Sequence, residues 1–129
     1  MNLIDSSAWI EYYKPSGDKK IKEAVYSSIQ NDEAAVNGLI MVEVSGFARD
    51  KDKNSILSDF SAFYSLPLSE DVFLEAVTIC SVLRNAGITV PATDGIIAAC
   101  ALKVEAYLIH RDRHFEDISR HFPLRIYAF

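Results

Sequence analysis

Two patterns of hydrophobic residues alternate along the chain, one typical of helices and one typical of strands. Between Lys19 and Gln30, the residues Ile21, Val25 and Ile29 recur every four positions, as on one face of a helix. Five shorter apolar runs are typical of buried strands or strand ends: "NLID", "AAVNGLI", "YSLPL", "AYLIH" and "LRIYAF". Because helical segments separate these runs, the pattern predicts an α/β fold with a mostly parallel central sheet flanked by helices.

The same pattern predicts approximate bounds for the helices. One helix should run from about Met41 into the charged segment "RDKDK", which is expected to be a solvated helix end or a loop. A short helix carries Ile56 and Phe60, and a long amphipathic helix over 72–83 ends at "NAG". Near the C-terminus, "RDRHF" is expected to be a loop and "EDISRH" a helical turn.

The segment "VPATDGIIAACAL" combines one charge with a long apolar stretch. It predicts a helix from about Thr93 to Val104 that is apolar nearly all round and therefore buried. Asp94 stands at its start, where an acid often caps a helix and complements its dipole. A carboxylate at the head of a buried helix also needs partners. Capping and a role in a site are therefore both open for Asp94.

Four acids stand at or just beyond predicted strand ends or helix starts. Asp5 ends the first strand, Glu43 lies just past the second, Asp94 opens the buried helix, and Asp112 follows "AYLIH". Ligands of open α/β sheets bind at the carboxyl ends of strands, so we expect these four carboxylates to converge on one crevice. Each has an ordinary alternative: a cap for Asp94, a solvated loop for Asp112 and an acidic surface for Glu43. Asp5 is the hardest to explain in this way, because it directly ends an apolar central strand.

A cluster of four carboxylates would require compensation by protons or cations. Oxygen-only ligand sets suit Mg²⁺ or Mn²⁺ rather than zinc or copper. Such an ion polarises a phosphate, lowers the pKa of a bound water and offsets charge on a leaving oxygen. The predicted chemistry is therefore phosphodiester hydrolysis.

Composition narrows the class of protein. The 129 residues, half of them hydrophobic and 24% charged, predict one domain, and the net charge of −5 argues against a surface that coats nucleic acid. No apolar run approaches the roughly 20 residues needed to span a bilayer. The N-terminal "MNLIDSSAW" lacks the basic region of a signal peptide. We therefore expect a cytoplasmic protein with no membrane partner.

Four segments, in order along the chain, resemble the acidic motifs of the PIN-domain family, in particular those of VapC-type toxins from bacterial toxin–antitoxin systems. They are "LIDSSAWIEYY", "VEVSGFAR", "PATDGIIAACAL" and "LIHRDRHFEDI". The resemblance implies a three-layer PIN-like fold over the single domain 1–129. It further implies an endoribonuclease that depends on Mg²⁺ or Mn²⁺, acts on RNA and forms a homodimer. A cognate antitoxin, whose extension occupies the active-site groove, is the implied inhibitor.

The resemblance also assigns roles to individual residues. Asp5, Glu43, Asp94 and Asp112 match the acidic quartet that holds the metal and carries catalysis, with Asp5 and Asp94 as the principal ligands. Ser6 matches a small hydroxyl residue that orients a carboxylate or a metal-bound water.

The last motif departs from the family pattern at two positions. His110 stands where many relatives carry Thr or Ser, and His114 stands where a further acid often precedes Phe115. Whether the site holds one metal ion or two therefore stays open. From the residues alone, we expect His110 to pack near the acids, and His114 and His121 to be partly exposed rather than to bind metal.

Two further groups of residues have alternative interpretations. Arg111 and Arg113 flank Asp112, where they would either meet RNA phosphates or form ordinary surface charge. Trp9, Tyr12 and Tyr13 form an aromatic stripe at helical spacing, expected in the core, at a subunit interface or in a partner groove.

A different class of function stays open beside the nuclease. A catalytically degenerate PIN fold, or another α/β binding or regulatory module such as a receiver-like domain, would share the alternation of strands and helices. A receiver would need an acidic pair after the first strand and a lysine after the last one. "LIDSSAW" has one acid, and "LRIYAF" has no lysine.

Overall fold

The chain forms five short strands and seven helices. The computed structural model describes every residue, Met1–Phe129. The strands are β1 (Asn2–Ile4), β2 (Ala34–Val36), β3 (Tyr64–Ser65), β4 (Tyr107–Ile109) and β5 (Arg125–Ile126). The helices are α1 (Ser6–Tyr13), α2 (Lys19–Gln30), α3 (Gly38–Ser45), α4 (Asp50–Phe60), α5 (Glu70–Asn85), α6 (Ala92–Val104) and α7 (Arg113–Ser119).

All strand pairs are parallel, and β1 lies at the centre in the order β3-β2-β1-β4-β5. In the register of the central strands, Leu3 is opposite Ala35 on one side and Leu108 on the other. The chain builds the sheet outward from β1 through β2 to β3, and then crosses back to place β4 on the other side of β1. The strand order therefore reverses between β1 and β4, which is where open α/β sheets form their ligand crevice.

Helices cover both faces of this sheet. Every residue of β1 and β2 is buried, and successive side chains of a strand point to opposite faces, so neither face meets water. The result is the three-layer α/β arrangement that the sequence predicted. α6 is buried nearly all round, as expected from its composition, with Ile97 and Ala98 fully inaccessible. No helix has the length and apolar character needed to cross a membrane.

The region after β2 differs from the prediction of one helix running from Met41 into "RDKDK". α3 begins earlier, at Gly38, because the side chain of Asn37 accepts a hydrogen bond from the Ile40 N–H at 2.9 Å. A separate helix, α4, begins at Asp50, so most of "RDKDK" forms its first turn. The acids of that turn complement the positive end of the helix dipole, which explains why the charged run starts a helix instead of ending one.

The segment "RDRHF" was expected to be a loop, and this expectation is wrong for its last three residues. Asp112 caps α7 by accepting the His114 N–H at 3.0 Å, and the helix begins at Arg113. The buried side chains of Phe115 and Ile118 anchor α7 to the core. This early start places His114 in the first helical turn, next to the end of β4.

The close approach of α5 and α6 gives a test of this packing. A methyl group added at Gly95 would lie 2.7 Å from the Cys80 sulfur. We expect Gly95→Ala to lower the free energy of unfolding by about 1 to 3 kcal/mol, as overpacking does. Cys80→Ala in the same chain should recover most of the loss. Urea denaturation measures both effects, with Gly38→Ala as the control because its added methyl meets nothing within 4 Å. Equal stability of the Gly95 and Gly38 variants would contradict the packing.

Candidate active site

The candidate site lies at the carboxyl ends of β1 and β4. Asp5 follows β1 and caps α1, while Asp112 follows β4 and caps α7. The Asp5 N–H donates to the Ile109 carbonyl at 2.9 Å, which continues the pairing of the two strands to the edge of the sheet. The two acids are therefore brought to one edge although 107 positions separate them along the chain.

Asp5 is the most deeply buried of the four predicted site acids, at 3% exposure. Its Oδ2 accepts hydrogen bonds from the backbone N–H of Ser7, at 3.0 Å, and from the Ser7 hydroxyl. Its Oδ1 is buried with no hydrogen-bond partner. Burial raises the pKa of Asp5 above its ordinary value despite the bonds to Ser7. A buried acceptor without a partner is costly, so this oxygen is available to a cation or a donor.

Ser7 is a site residue that the sequence did not single out for the site. Its hydroxyl donates to Asp5 and also accepts the Arg111 N–H at 2.9 Å. It thus ties the end of β1 to the segment that follows β4. A serine two residues after a helix-capping aspartate was the available signal.

Glu43 lies on α3 and is held by Ser6. The Ser6 hydroxyl donates to Glu43 Oε1 at 2.8 Å, so it orients a carboxylate, as one of its predicted roles required. Burial raises the pKa of Glu43, and the negative charge of Asp5 raises it further against the opposing bond from Ser6. The two carboxylates therefore interact electrostatically.

Asp94 does not cap its helix. No side chain caps α6, whose N-cap position is Pro91, and Asp94 is the third residue of the helix, at 8% exposure. Its Oδ2 lies 3.0 Å from His114 Nδ1. Burial, followed by the negative charges of Asp112 and Asp5, raises the pKa of Asp94 to about 7, although His114 opposes the shift. Asp94 therefore has the electrostatic environment of a site carboxylate. It forms no capping hydrogen bond, although as an acid in the first turn it complements the dipole of α6, as the capping alternative also expected.

His114 completes this side of the crevice. Its Nδ1 lies 2.9 Å from Asp112 Oδ1 and 3.0 Å from Asp94 Oδ2, so one ring nitrogen faces two carboxylates. The expectation of an ordinary, partly exposed histidine captures its partial exposure and misses this contact. The hydrophobic pattern of the sequence could not predict the contact with Asp94, because that contact joins two separate helices, α6 and α7.

His110 is buried beside the site, as expected, and both of its ring nitrogens are engaged. Nδ1 accepts the Asp112 N–H at 3.0 Å, and Nε2 faces Glu116 at 3.3 Å. Its ring packs against Phe115 with the centroids 5.1 Å apart. His110 therefore positions the backbone of Asp112 and has no free nitrogen to offer a ligand.

The two arginines that flank Asp112 have different surroundings. The Arg111 guanidinium pairs with Asp18 at 2.9 Å and with Glu11 at 3.5 Å, which ties the start of α2 to the segment after β4. Arg113 is exposed and forms no ion pair. His121, the third histidine, is exposed and contacts the Asp117 carbonyl outside the site.

The donor set suits a hard divalent cation. Carboxylate oxygens predominate, Asp94, Asp112 and His114 present ligand atoms that all lie within 4.8 Å of one another, and Asp5 adds a buried oxygen with no partner. Burial is the main cause of the raised pKa values of Asp5, Glu43 and Asp94, so the charged forms of these acids are only partly compensated in the crevice. A bound cation would relieve both deficits.

The raised pKa of Asp94 predicts how the stability of the cation-free protein depends on pH. Because the pKa of about 7 exceeds the ordinary 3.8, the folded state keeps a proton that the unfolded state has lost between these values. The contribution of Asp94 to the free energy of unfolding therefore falls as the pH rises from about 4 to about 7. Asp94→Asn should remove this contribution and stabilise the protein near pH 8 by about 1 to 2 kcal/mol.

Urea denaturation in EDTA across this pH range measures the difference between the two proteins. Glu75→Gln is the control, since Glu75 is exposed on α5 and should give a curve parallel to that of the unaltered chain. A parallel curve for Asp94→Asn would instead show that Asp94 keeps an ordinary pKa.

Comparison with known proteins gives a consistent assignment. The family model for the PIN domain matches residues 3–121. Ribonuclease VapC11 of Mycobacterium tuberculosis is 32% identical over 126 residues, which cover 93% of this chain and 92% of that protein. Two solved structures share the fold at lower identity. FitAcB from Neisseria gonorrhoeae superposes with a TM-score of 0.79 at 22% identity, covering 99% of this chain and 97% of that one.

The second structure is a toxin–antitoxin complex from Klebsiella pneumoniae, with a TM-score of 0.72, 21% identity and 88% of each chain covered. The family model spans all four acids of the crevice, from Asp5 after β1 to Asp112 after β4. Together with the relative at 32% identity, this match shows that the chain belongs to the PIN domain family and is a relative of the VapC ribonucleases.

Proposed function

We propose that this chain is an endoribonuclease of the VapC type, which hydrolyses RNA phosphodiester bonds with Mg²⁺ or Mn²⁺. Asp5, Glu43, Asp94 and Asp112 form its catalytic and metal-binding centre. The observation that carries the proposal is the buried, unpartnered Oδ1 of Asp5 in the crevice where Asp94 has a pKa raised to about 7. The ribonuclease activity named for the relative at 32% identity supports RNA as the substrate.

The chain's own residues divide the work of such a centre. A divalent cation bound there would polarise the phosphate and lower the pKa of a bound water. Asp5 and Asp94, the most buried acids, would hold the cation. Glu43 keeps its Oε1 on the Ser6 hydroxyl, which leaves Oε2 to orient a water. Asp112 is fixed as the cap of α7 and closes the other side of the crevice.

Substrate contact falls to Arg113 rather than to Arg111. Arg111 is held by Asp18 and Glu11, so its charge is already compensated. Arg113 is exposed next to Asp112 and has no acidic partner. Its guanidinium is free to meet an RNA phosphate at the edge of an otherwise acidic site.

A cognate antitoxin is the proposed protein partner. α1, α2 and α4 enclose an aromatic groove of about 310 Å³. It is lined by Trp9, Tyr12, Tyr13, Ile29, Ser58, Asp59, Ala62 and Phe63. Trp9 is fully buried in its floor, which favours the core interpretation for that residue, while Tyr13 is 39% exposed at the rim. The groove offers apolar surface for an antitoxin segment, and the structurally similar Klebsiella pneumoniae protein lies in a toxin–antitoxin complex.

The proposal also covers the oligomeric state, the domain organisation and the cellular location. Phe73, Leu74 and Val77 are 44%, 60% and 66% exposed on α5, and this apolar face supports a homodimer. One connected core of 31 buried residues supports a single domain over 1–129. An RNA substrate and an antitoxin partner favour the cytoplasm.

Loss of single carboxylates tests the nuclease. In antitoxin-free protein, Asp5→Asn and Asp94→Asn should each reduce cleavage of structured RNA by at least about 100-fold, because each removes a ligand charge while the shape is kept. EDTA should abolish cleavage by the unaltered chain. Glu75→Gln, which alters an exposed acid on α5, is the matched control and should cleave normally.

Calorimetric titration with Mn²⁺ separates the nuclease from its alternative, a catalytically degenerate PIN fold. A degenerate fold should lack a carboxylate-dependent metal site, so absence of Mn²⁺ binding together with absence of RNA cleavage would favour that alternative. Undiminished cleavage by either Asn variant would contradict the proposed centre.

The two arginines provide a second, paired test. Arg113→Ala should raise KM for RNA several-fold and weaken its salt dependence, with no change in melting temperature, because it removes a phosphate contact alone. Arg111→Ala should lower the melting temperature, because it breaks the ion pairs that tie α2 to the segment after β4. Cleavage kinetics at several salt concentrations and thermal denaturation measure the two effects. The opposite pattern would exchange the roles of the two residues.

A further inference from the structure

His114 presents a nitrogen where the surrounding donors are carboxylate oxygens. Nδ1 lies 3.0 Å from Asp94 Oδ2 and 2.9 Å from Asp112 Oδ1. Adjacent ligands of an octahedral ion with bonds of ~2.1 Å are ~3.0 Å apart. The spacing of these atoms is that of ordinary hydrogen bonds, and it also matches neighbouring positions around one cation.

The backbone holds His114 in this position. Its N–H donates to Asp112 Oδ1, the same oxygen that its ring approaches, so the first turn of α7 fixes the ring relative to the carboxylate. The buried Phe115, next along the chain, fixes α7 against the core. Presenting Nδ1 to the crevice therefore requires no rearrangement of the chain.

An independent feature of the crevice is a second buried acid whose charge is only partly compensated by the protein. Asp5 Oδ1 is buried and has no hydrogen-bond partner, and Asp5 is close enough to Asp94 for its charge to be felt there. This oxygen belongs to neither of the two contacts that His114 makes. The need for positive charge therefore extends beyond the pair of acids that the histidine faces.

We propose that His114 is a metal ligand, which binds through Nδ1 beside Asp94 and Asp112, and that its nitrogen makes this centre prefer Mn²⁺ to Mg²⁺. Imidazole is a good ligand for transition metals, whereas Mg²⁺ strongly prefers oxygen. The proposal rests on the metal centre of the proposed function and names the class of its cation; it does not require that RNA be cleaved. His110 cannot take this role because both its ring nitrogens are engaged, and His121 lies outside the site.

A competing arrangement has the His114 ring as a fixed positive charge between the two carboxylates, in place of a cation. The two arrangements differ in a measurable way. A ligand contributes nitrogen to the bound metal, and its loss weakens binding. A fixed positive charge contributes no metal–nitrogen bond, and its removal strengthens binding.

Spectroscopy of bound Mn²⁺ provides the decisive experiment on the full chain. Electron spin echo modulation should show coupling to nitrogen, and this coupling should change when the histidines are labelled with ¹⁵N. This measurement on the unaltered protein needs no variant that folds. His114→Ala should remove the coupling, while the matched His121→Ala should leave it intact.

Calorimetry of the same proteins tests the metal preference. His114→Ala should weaken Mn²⁺ binding by about tenfold or more, since even changes behind a metal ligand commonly cost that much. His114→Asp should restore an all-oxygen set and shift the ratio of affinities toward Mg²⁺. His121→Ala should leave both affinities unchanged.

The outcomes distinguish this inference from the proposed function. Bound Mn²⁺ without nitrogen coupling, absence of Mn²⁺ binding, or tighter binding by His114→Ala would overturn the role of His114. RNA cleavage under those results would leave the nuclease standing. Nitrogen-coupled Mn²⁺ in a chain that does not cleave RNA would support the ligand and overturn the nuclease.

Discussion

The burial of neighbouring carboxylates is the constraint on which the rest of this structure depends. Asp5 and Asp94 are nearly inaccessible, and burial, followed by the negative charges of Asp112 and Asp5, raises the pKa of Asp94 to about 7. Such a cluster opposes folding unless protons, donors or cations compensate it. The surrounding hydroxyls and imidazole supply part of this compensation. At the unpartnered oxygen of Asp5, the protein itself supplies no such compensation.

The fold tolerates the unfavourable burial of these carboxylates because its elements are firmly packed where the acids are attached. β1 and β4 pair over three residues each at the centre of the sheet, and Ser7 joins the segments that follow them. α6, buried nearly all round, brings Asp94 to the same edge. Each acid is thus held by an element that cannot move without disturbing the core, which is the condition for a preorganised charged site.

The histidines and arginines near the last motif show how neighbours in sequence take separate tasks. His110 points inward and fixes the Asp112 backbone, while His114, one helical turn later, faces two carboxylates. Arg111 forms ion pairs with α1 and with the residue that caps α2, whereas Arg113 is exposed to solvent. Structural contacts thus come first in the segment after β4, at His110 and Arg111, and contacts at the site follow from Asp112 onward, because the chain passes from strand to helix there.

The sequence by itself determined the alternation of strands and helices, the burial of α6 and the convergence of the acids on one edge. Hydrophobic periods and strand-end positions are local properties, so they can be read along the chain. Only the tertiary structure decided that Asp94 forms no capping hydrogen bond and that Ser7 and His114 lie at the site. It also decided that Arg111 is paired with acidic side chains. It also divided the helix predicted from Met41 and extended α7 to Arg113. These outcomes depend on contacts between distant segments, such as α6 with α7, whose geometry follows from strand order and packing and not from any local period.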